Sequence, residues 1–389
     1  MPDDISYILN ELGEDRENYF NAVSPPIMQT SNFVFKKVDD LRQAFEDEYS
    51  GYLYSRGLNP TLEILRKKLA ALDGAEDCLV FNSGASAIFA AVFANVKSGD
   101  HIVSVHKPYT WAQRMFDNVL PRFGVTTTYI DGTDIRHFER AILPNTTVIY
   151  LESPNSWNYE LQDLQQVAEL AKSEGITTII DNSYCTPLYQ QPIMYGIDIS
   201  MQTATKYIGG HSDTVGGVLS GTHAMMKKIF DSEYLNMGIG ATPFNAWLLI
   251  RGLRSLPARL DRITATTRQM IGFLQAHPRV EQVIFPLDTS FPQYQLARQQ
   301  MKGACGLLTV VVKAGSREQI VTFCESLRHI LMAVSWGGHE SLVIPKCASL
   351  LPGQFDAANR EHRMIRFYFG LEEAAYLIDD IAQAFEKMG

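Results

Sequence analysis

The amino-acid sequence predicts an α/β protein whose large domain carries a mostly parallel sheet, followed by a smaller C-terminal α+β domain. Three observations carry this. Short apolar runs at 78–81, 101–105, 147–151 and 176–180 each end in turn residues. Helical patterns such as 86–96 and 161–172 lie between them, and such alternation implies parallel strands joined by helical crossovers. Around residue 240 the pattern changes to one long helical stretch and then to strands and helices in another order. At 389 residues the chain exceeds the usual size of one domain.

Taken in order, residues 1–50 form an arm. Ser24-Pro25-Pro26 breaks regular structure, and the charged stretch 39–48 predicts one amphipathic helix. The segment 52–61 is a loop by its Gly57 and Asn59-Pro60. Thr61 is placed to cap the next helix, in which Leu62, Leu65, Leu69 and Leu72 recur at helical spacing. The large domain is expected over 51–242 and the small one over 243–389. A long helix at 243–277, with Leu248, Leu249, Leu253 and Leu260, links them. Strands follow at 306–312, 331–335 and 365–369, with a last helix from about 372 to 387.

Composition narrows the function class. A net charge of -9 and a pI near 5.5 argue against nucleic acid as the main partner. The start, Met1-Pro2-Asp3-Asp4-Ile5, lacks a basic region followed by an apolar one. The most apolar stretch, 88–96, is too short to cross a bilayer. A soluble cytoplasmic protein with no membrane partner is therefore expected. The five cysteines contain no C-x-x-C pair, which fits buried reduced thiols rather than a disulfide framework or a zinc site. Nine histidines include no H-E-x-x-H, so no metal is assigned.

The chemistry is concentrated at strand ends. The apolar run to Ile180 delivers Asp181, and Lys206 stands among Thr203, Thr205, Gly209 and Gly210. Such a pair suits pyridoxal 5'-phosphate: the carboxylate keeps the pyridine nitrogen protonated, and the amine forms a Schiff base with the aldehyde. Alone, each has an ordinary reading, a turn-capping aspartate and a solvated lysine. Ser83-Gly84-Ala85 opens a helix after the first strand, as a phosphate cradle or as a plain serine cap. Tyr109, after Pro108, offers a ring to stack on pyridine or a half-buried tyrosine. Tyr54 and Arg56 lie in the Gly/Asn/Pro loop, where the arginine grips phosphate or is solvated. Arg366 lies inside an apolar strand and needs an anion, either a structural carboxylate or that of an amino-acid substrate. A Thr203-x-x-Lys206 acyl-transfer site is weak, because no K-T-G or G-x-S-x-G accompanies it.

These residues fall in a recognisable series. Pro25-Pro26-Ile27, Thr30-Ser31-Asn32-Phe33, Tyr54-Ser55-Arg56, Asn59-Pro60-Thr61, Ser83-Gly84, Glu152-Ser153-Pro154, Asp181-Asn182, Ala204-Thr205-Lys206, Gly210-His211-Ser212-Asp213, and Arg366 with Gly370-Leu371-Glu372 occur in order. In this the chain resembles the transsulfuration (Cys/Met metabolism) family of fold-type-I pyridoxal phosphate enzymes along almost its whole length. The resemblance implies an aspartate aminotransferase-like large domain. It implies that Lys206 tethers the cofactor and later moves protons, that Asp181 pairs with the ring nitrogen, and that Tyr109 stacks on the ring. Ser83, Gly84, Ala85, Thr203 and Thr205 would hold the phosphate. Tyr54 and Arg56 would reach in from a neighbouring subunit of a homotetramer, a dimer of dimers. Arg366, Ser335 and Trp336 would meet the substrate.

Within the family, Ser335-Trp336-Gly337-Gly338 and Glu340-Ser341-Leu342 are similar to bacterial cystathionine β-lyases. The γ-acting members usually have Leu-Gly at Trp336-Gly337, and methionine γ-lyases a reactive cysteine at Trp111. Thr203 replaces a common serine, Ser156 a common asparagine, and Val334 a tyrosine beside the substrate. The expected activity is β-elimination of L-cystathionine or a related cysteine thioether to a thiol, pyruvate and ammonia, with Tyr54 or Tyr109 assisting proton transfer. The rivals are γ-replacement or γ-elimination in the same family, and a cofactor-binding regulatory protein that releases no keto acid.

Overall fold

The computed structural model describes residues 4–388, so residues 1–3 of the expected arm and residue 389 lie outside it. Its larger sheet has seven strands: β1 (Asp77–Phe81), β2 (His101–Val105), β3 (Thr126–Ile130), β4 (Thr146–Glu152), β5 (Thr177–Asp181), β6 (Ile199–Gln202) and β7 (Gly217–Gly221). They stand in the order β1-β7-β6-β5-β4-β2-β3. All pairings among β2 to β6 are parallel, and β7 is antiparallel to both neighbours. β1 therefore points the same way as β2 to β6, although β7 separates it from them. The carboxyl ends of β1, β2, β4, β5 and β6 share one edge, where open α/β sheets bind ligands.

The four strands read from the sequence are present because sheets covered on both faces need continuous apolar runs. Every residue of β2 is buried, as is nearly every residue of β4. β3, β6 and β7 were not among those expected. β3 is an edge strand of alternating exposure, β6 has four residues, and β7 begins and ends in glycine, a pattern that reads as a loop.

Two local expectations are corrected. The helix Pro60–Asp73 is capped by Asn59, whose side chain accepts the Thr61 N–H at 3.0 Å, with Pro60 at the first helical position. Thr61 instead ties down the arm, its hydroxyl accepting from Met28 N at 2.9 Å and donating to Pro26 O at 3.1 Å. The strand expected over 331–335 pairs for two residues only, Leu331–Met332, because the chain then turns toward Ser335 at φ 88°.

The described part of the arm holds a short helix, Ile5–Asn10, in addition to the expected one, which is Val38–Glu46. Lys68 holds its start: the buried ammonium donates to Ile8 O and Leu9 O and pairs with Glu14 at 3.1 Å. The long helix is Pro243–Ala276, capped by Thr242. It packs on the Pro60–Asp73 helix, on β8 (Val280–Ile284) and on the final helix Ala374–Lys387. β8 belongs to a second sheet with β9 (Leu307–Val312), β10 (Leu331–Met332), β11 (Leu342–Pro345) and β12 (Met364–Tyr368), ordered β10-β11-β12-β9-β8. All its pairings are antiparallel except β10 with β11. All five cysteines are buried and free, and no helix among the described residues is long and apolar enough to cross a membrane.

Candidate active site

A cleft of about 940 Å³ opens at the carboxyl edge of the large sheet and is closed on its other side by residues of the small one. Lys206 lies in it, on the turn after β6. Its amine donates to Ser335 Oγ at 2.5 Å and lies 5.4 Å from the centre of the Trp336 ring. Burial, then the Arg366 charge, lower its pKa from 10.5 to about 8, against a smaller opposing effect of Asp181. An appreciable fraction is thus neutral near pH 8. Gly337 makes this closeness possible: it has φ 88°, and a Cβ there would lie 2.8 Å from the Lys206 carbonyl carbon.

Asp181 ends β5 directly opposite Glu152, the last residue of β4. Asp181 accepts the Ser183 N–H at 3.0 Å, and Glu152 accepts the Tyr109 N–H at 2.6 Å. Burial raises the pKa of both carboxyls, and the Asp181 charge raises that of Glu152 further. Tyr109 is thereby fixed at the start of the short helix Thr110–Arg114, at the rim of the cleft. Its phenol is also pushed up, by burial and then by Asp181 and Glu152.

The turn after β1 is both a cap and a cradle. Ser83 accepts the Ser86 N–H at 3.1 Å, and Ser86 Oγ accepts the Ser83 N–H at 3.2 Å, which is a capping box. That engages the serine and leaves the first-turn N–H groups of Gly84 and Ala85, which line the cleft, as free donors. Thr203, at the end of β6, closes the cradle. A Cβ on Gly84 would lie 2.2 Å from its Oγ1, so only glycine admits this approach. The Thr205 hydroxyl, by contrast, is engaged with the Gly216 backbone, donating at 3.3 Å and accepting at 3.1 Å.

Across the cleft, Arg366 on β12 donates to Ser156 O at 3.3 Å, with its guanidinium 5.1 Å from the Trp157 ring centre. Among the described residues it forms no ion pair, and the one carboxyl that acts on it, Glu152, is itself pushed toward its neutral form, which leaves a cation lining the cleft.

The structure thus brings together Lys206, Asp181, Tyr109, Ser83, Gly84, Ala85, Thr203, Thr205, Arg366, Ser335 and Trp336. It does not bring Tyr54 or Arg56 to them. Those two border a separate depression with Phe33, Val34 and Phe45 of the arm. Glu152, Trp157 and Lys346 line the cleft without having been singled out as site residues. Glu152 alone had a signal, as the end of a buried strand beside the one that delivers Asp181. The donor set fits a phosphorylated pyridine aldehyde: free backbone N–H groups, a strand-end acid, and an amine of depressed pKa.

The family model described as Cys/Met metabolism PLP-dependent enzyme matches residues 8–386. An L-methionine gamma-lyase of Treponema denticola is 35% identical over 385 residues, covering 96% of this chain and 94% of its own. A cystathionine gamma-lyase of Bacillus subtilis is 34% identical over 378 residues, covering 94% and 95%. A crystal structure of metB from Corynebacterium glutamicum superposes with a TM-score of 0.92 at 30% identity over 100% of both chains.

Proposed function

This chain belongs to the Cys/Met metabolism family of PLP-dependent enzymes, with the fold-type-I architecture, and we propose that within it the chain eliminates a sulfur substituent from an L-amino acid. The observation that carries this is one cleft that holds the Lys206 amine, bonded to Ser335 Oγ, together with the strand-end Asp181 and Arg366, which forms no ion pair.

In this reading 51–242 is the cofactor-binding domain and 243–389 the smaller domain that brings Arg366. Lys206 would tether pyridoxal phosphate, Asp181 would hold its ring nitrogen and Tyr109 its ring. The Gly84 and Ala85 N–H groups and Thr203, with Ser83 and Thr205 beside them, would hold the phosphate. When bound, the cofactor supplies the electron sink that allows a Cα proton to leave.

The residues of the chain do the rest. Arg366 and Ser335 orient the substrate carboxylate, bidentate pairing being what a guanidinium does best. Lys206 in its neutral form takes the Cα proton. Tyr109 or Tyr54 donates a proton to the departing sulfur, a phenol being protonated at neutral pH, and burial of Tyr109 favours its protonated form further. Tyr54 and Arg56 complete the phosphate site from a neighbouring subunit, in a tetramer of two catalytic dimers.

Loss of sulfur from Cβ, with L-cystathionine or a related thioether, gives a thiol, pyruvate and ammonia; Ser335-Trp336-Gly337-Gly338 supports this branch. A second reading, γ-elimination, is favoured by the relatives, which are named methionine and cystathionine gamma-lyases. There Lys206 also moves a Cβ proton. Purified holoenzyme mixed with L-cystathionine decides between them: pyruvate marks β chemistry and 2-oxobutyrate γ chemistry. Release of neither from any thioether sinks the lyase reading and leaves a cofactor-binding regulator.

A further inference from the structure

Lys346 opens a short turn directly after β11 and lines the cleft. Its ammonium lies 4.3 Å from the centre of the Trp157 ring, the same indole over which Arg366 sits at 5.1 Å. The two cations are therefore no farther apart than those distances laid end to end. An indole face attracts a cation, but it does not neutralise one.

Neither cation forms an ion pair among the described residues; the carboxyl that acts on Arg366 is Glu152, which burial and Asp181 push toward its neutral form. The acid that acts on Lys346 most is Glu361, and it is already paired with Lys107 at 2.5 Å. The turn itself is pinned by Ser349 Oγ, which donates to Lys346 O at 2.9 Å. Two like charges held together in a partly buried site repel, and an anion between or beside them relieves this. The phosphate cradle does not serve that purpose. It lies at the ends of β1 and β6 in the large sheet, whereas Lys346 and Arg366 belong to the small one.

We infer that Lys346 is a specificity-determining residue that receives a second anionic group, a carboxylate carried on the sulfur substituent of the substrate. The inference rests on the assignment of Arg366 to the substrate's α-carboxylate. Arg366 then takes one end of the molecule and Lys346 the other, with the scissile carbon–sulfur bond between them. Neutral S-alkyl amino acids fill only half of this arrangement.

The test uses holoenzyme and two unreactive probes of equal chain length, glutarate and valerate, titrated by calorimetry. Wild-type protein binds glutarate about tenfold more tightly than valerate, the worth of one charge-assisted contact. Lys346→Met, which keeps the stem and removes the charge, brings the two affinities together, and Lys346→Arg restores the difference. Cofactor absorbance identifies any variant that has lost its fold. In turnover, kcat/KM for S-carboxyethyl-L-cysteine over S-propyl-L-cysteine falls in the methionine variant and recovers in the arginine variant. Equal affinities in wild type, or a ratio unmoved by Lys346→Met, overturn the inference. Keto acid release with an unmoved ratio refutes this inference alone. A glutarate preference without keto acid from any thioether refutes the lyase reading and leaves the anion site standing.

Discussion

Lys206 joins the amine chemistry to its surroundings, and its titration is open to measurement. Burial and Arg366 disfavour its charged form, so the folded, cofactor-free protein holds this amine neutral above about pH 8. Added pyridoxal phosphate is captured by a neutral amine, so the uptake rate should rise with pH through a midpoint near 8. Stopped-flow absorbance of apoprotein reads this directly, and a midpoint near the ordinary lysine value of 10.5 would contradict it. The same depressed pKa opposes folding fully below about pH 8, less as pH rises toward the unfolded value of 10.5 and not above that, the reverse of a salt-bridged lysine. At this scale the sequence was informative wherever one residue type does one job. A lysine among hydroxyls and an arginine in an apolar strand both stood out. Glu152, Trp157 and Lys346 did not, because each matters only through what folding sets beside it. Glu152 gains its role from Asp181 on the next strand, and Trp157 gains its role from two cations more than 180 residues further along the chain.

At the scale of elements, the small sheet depends on a buried carboxylate that aligns the entry to β10. Asp380, on the final helix, accepts the N–H groups of Arg328, His329 and Ile330 at 2.8, 2.9 and 3.1 Å. Burial pushes its pKa up, but the three bonds outweigh that and hold it below the usual carboxylate value. Asp380→Ala leaves these donors unmet and should cost about 3 kcal/mol of stability, measured by urea unfolding. Because the folded pKa is depressed, the stabilisation is present above pH 3.8 and fades as pH falls through the lower folded value. A loss below about 0.5 kcal/mol, as for an ordinary surface substitution, would contradict the role. Elements were legible where burial on both faces enforced apolar runs, as in β2, β4 and β5. β6 and β7 were hidden by brevity and by flanking glycines. The strand expected at 331–335 failed because Ser335 turns out of the extended region to meet Lys206.

The whole molecule has one feature that a single chain does not explain. Tyr54 and Arg56 border a depression separate from the cleft that contains Lys206, and the arm exposes Phe20, Val34, Val38 and Phe45. The proposed contribution of Tyr54 and Arg56 to another copy would cover such apolar surface. If these two residues complete the site of another copy, Lys206→Ala and Arg56→Ala are each inactive alone but complement when mixed. A hybrid dimer has one site carrying both lesions and one carrying neither. Random reassociation then restores roughly a quarter of wild-type activity. A mixture as inactive as its parts would contradict the donation of Arg56 to another copy's site. No sequence pattern shows this directly, since the loop 52–61 reads the same whether its partner is its own cleft or a neighbour's.

The central claim is that one amine, at position 206, carries the cofactor. Borohydride reduction of the holoenzyme, followed by proteolysis and mass spectrometry of the peptides, tests it most directly. A pyridoxyl-phosphate adduct is expected on Lys206 and none elsewhere, absent in Lys206→Ala; an adduct on another lysine, or no adduct at all, would overturn the assignment.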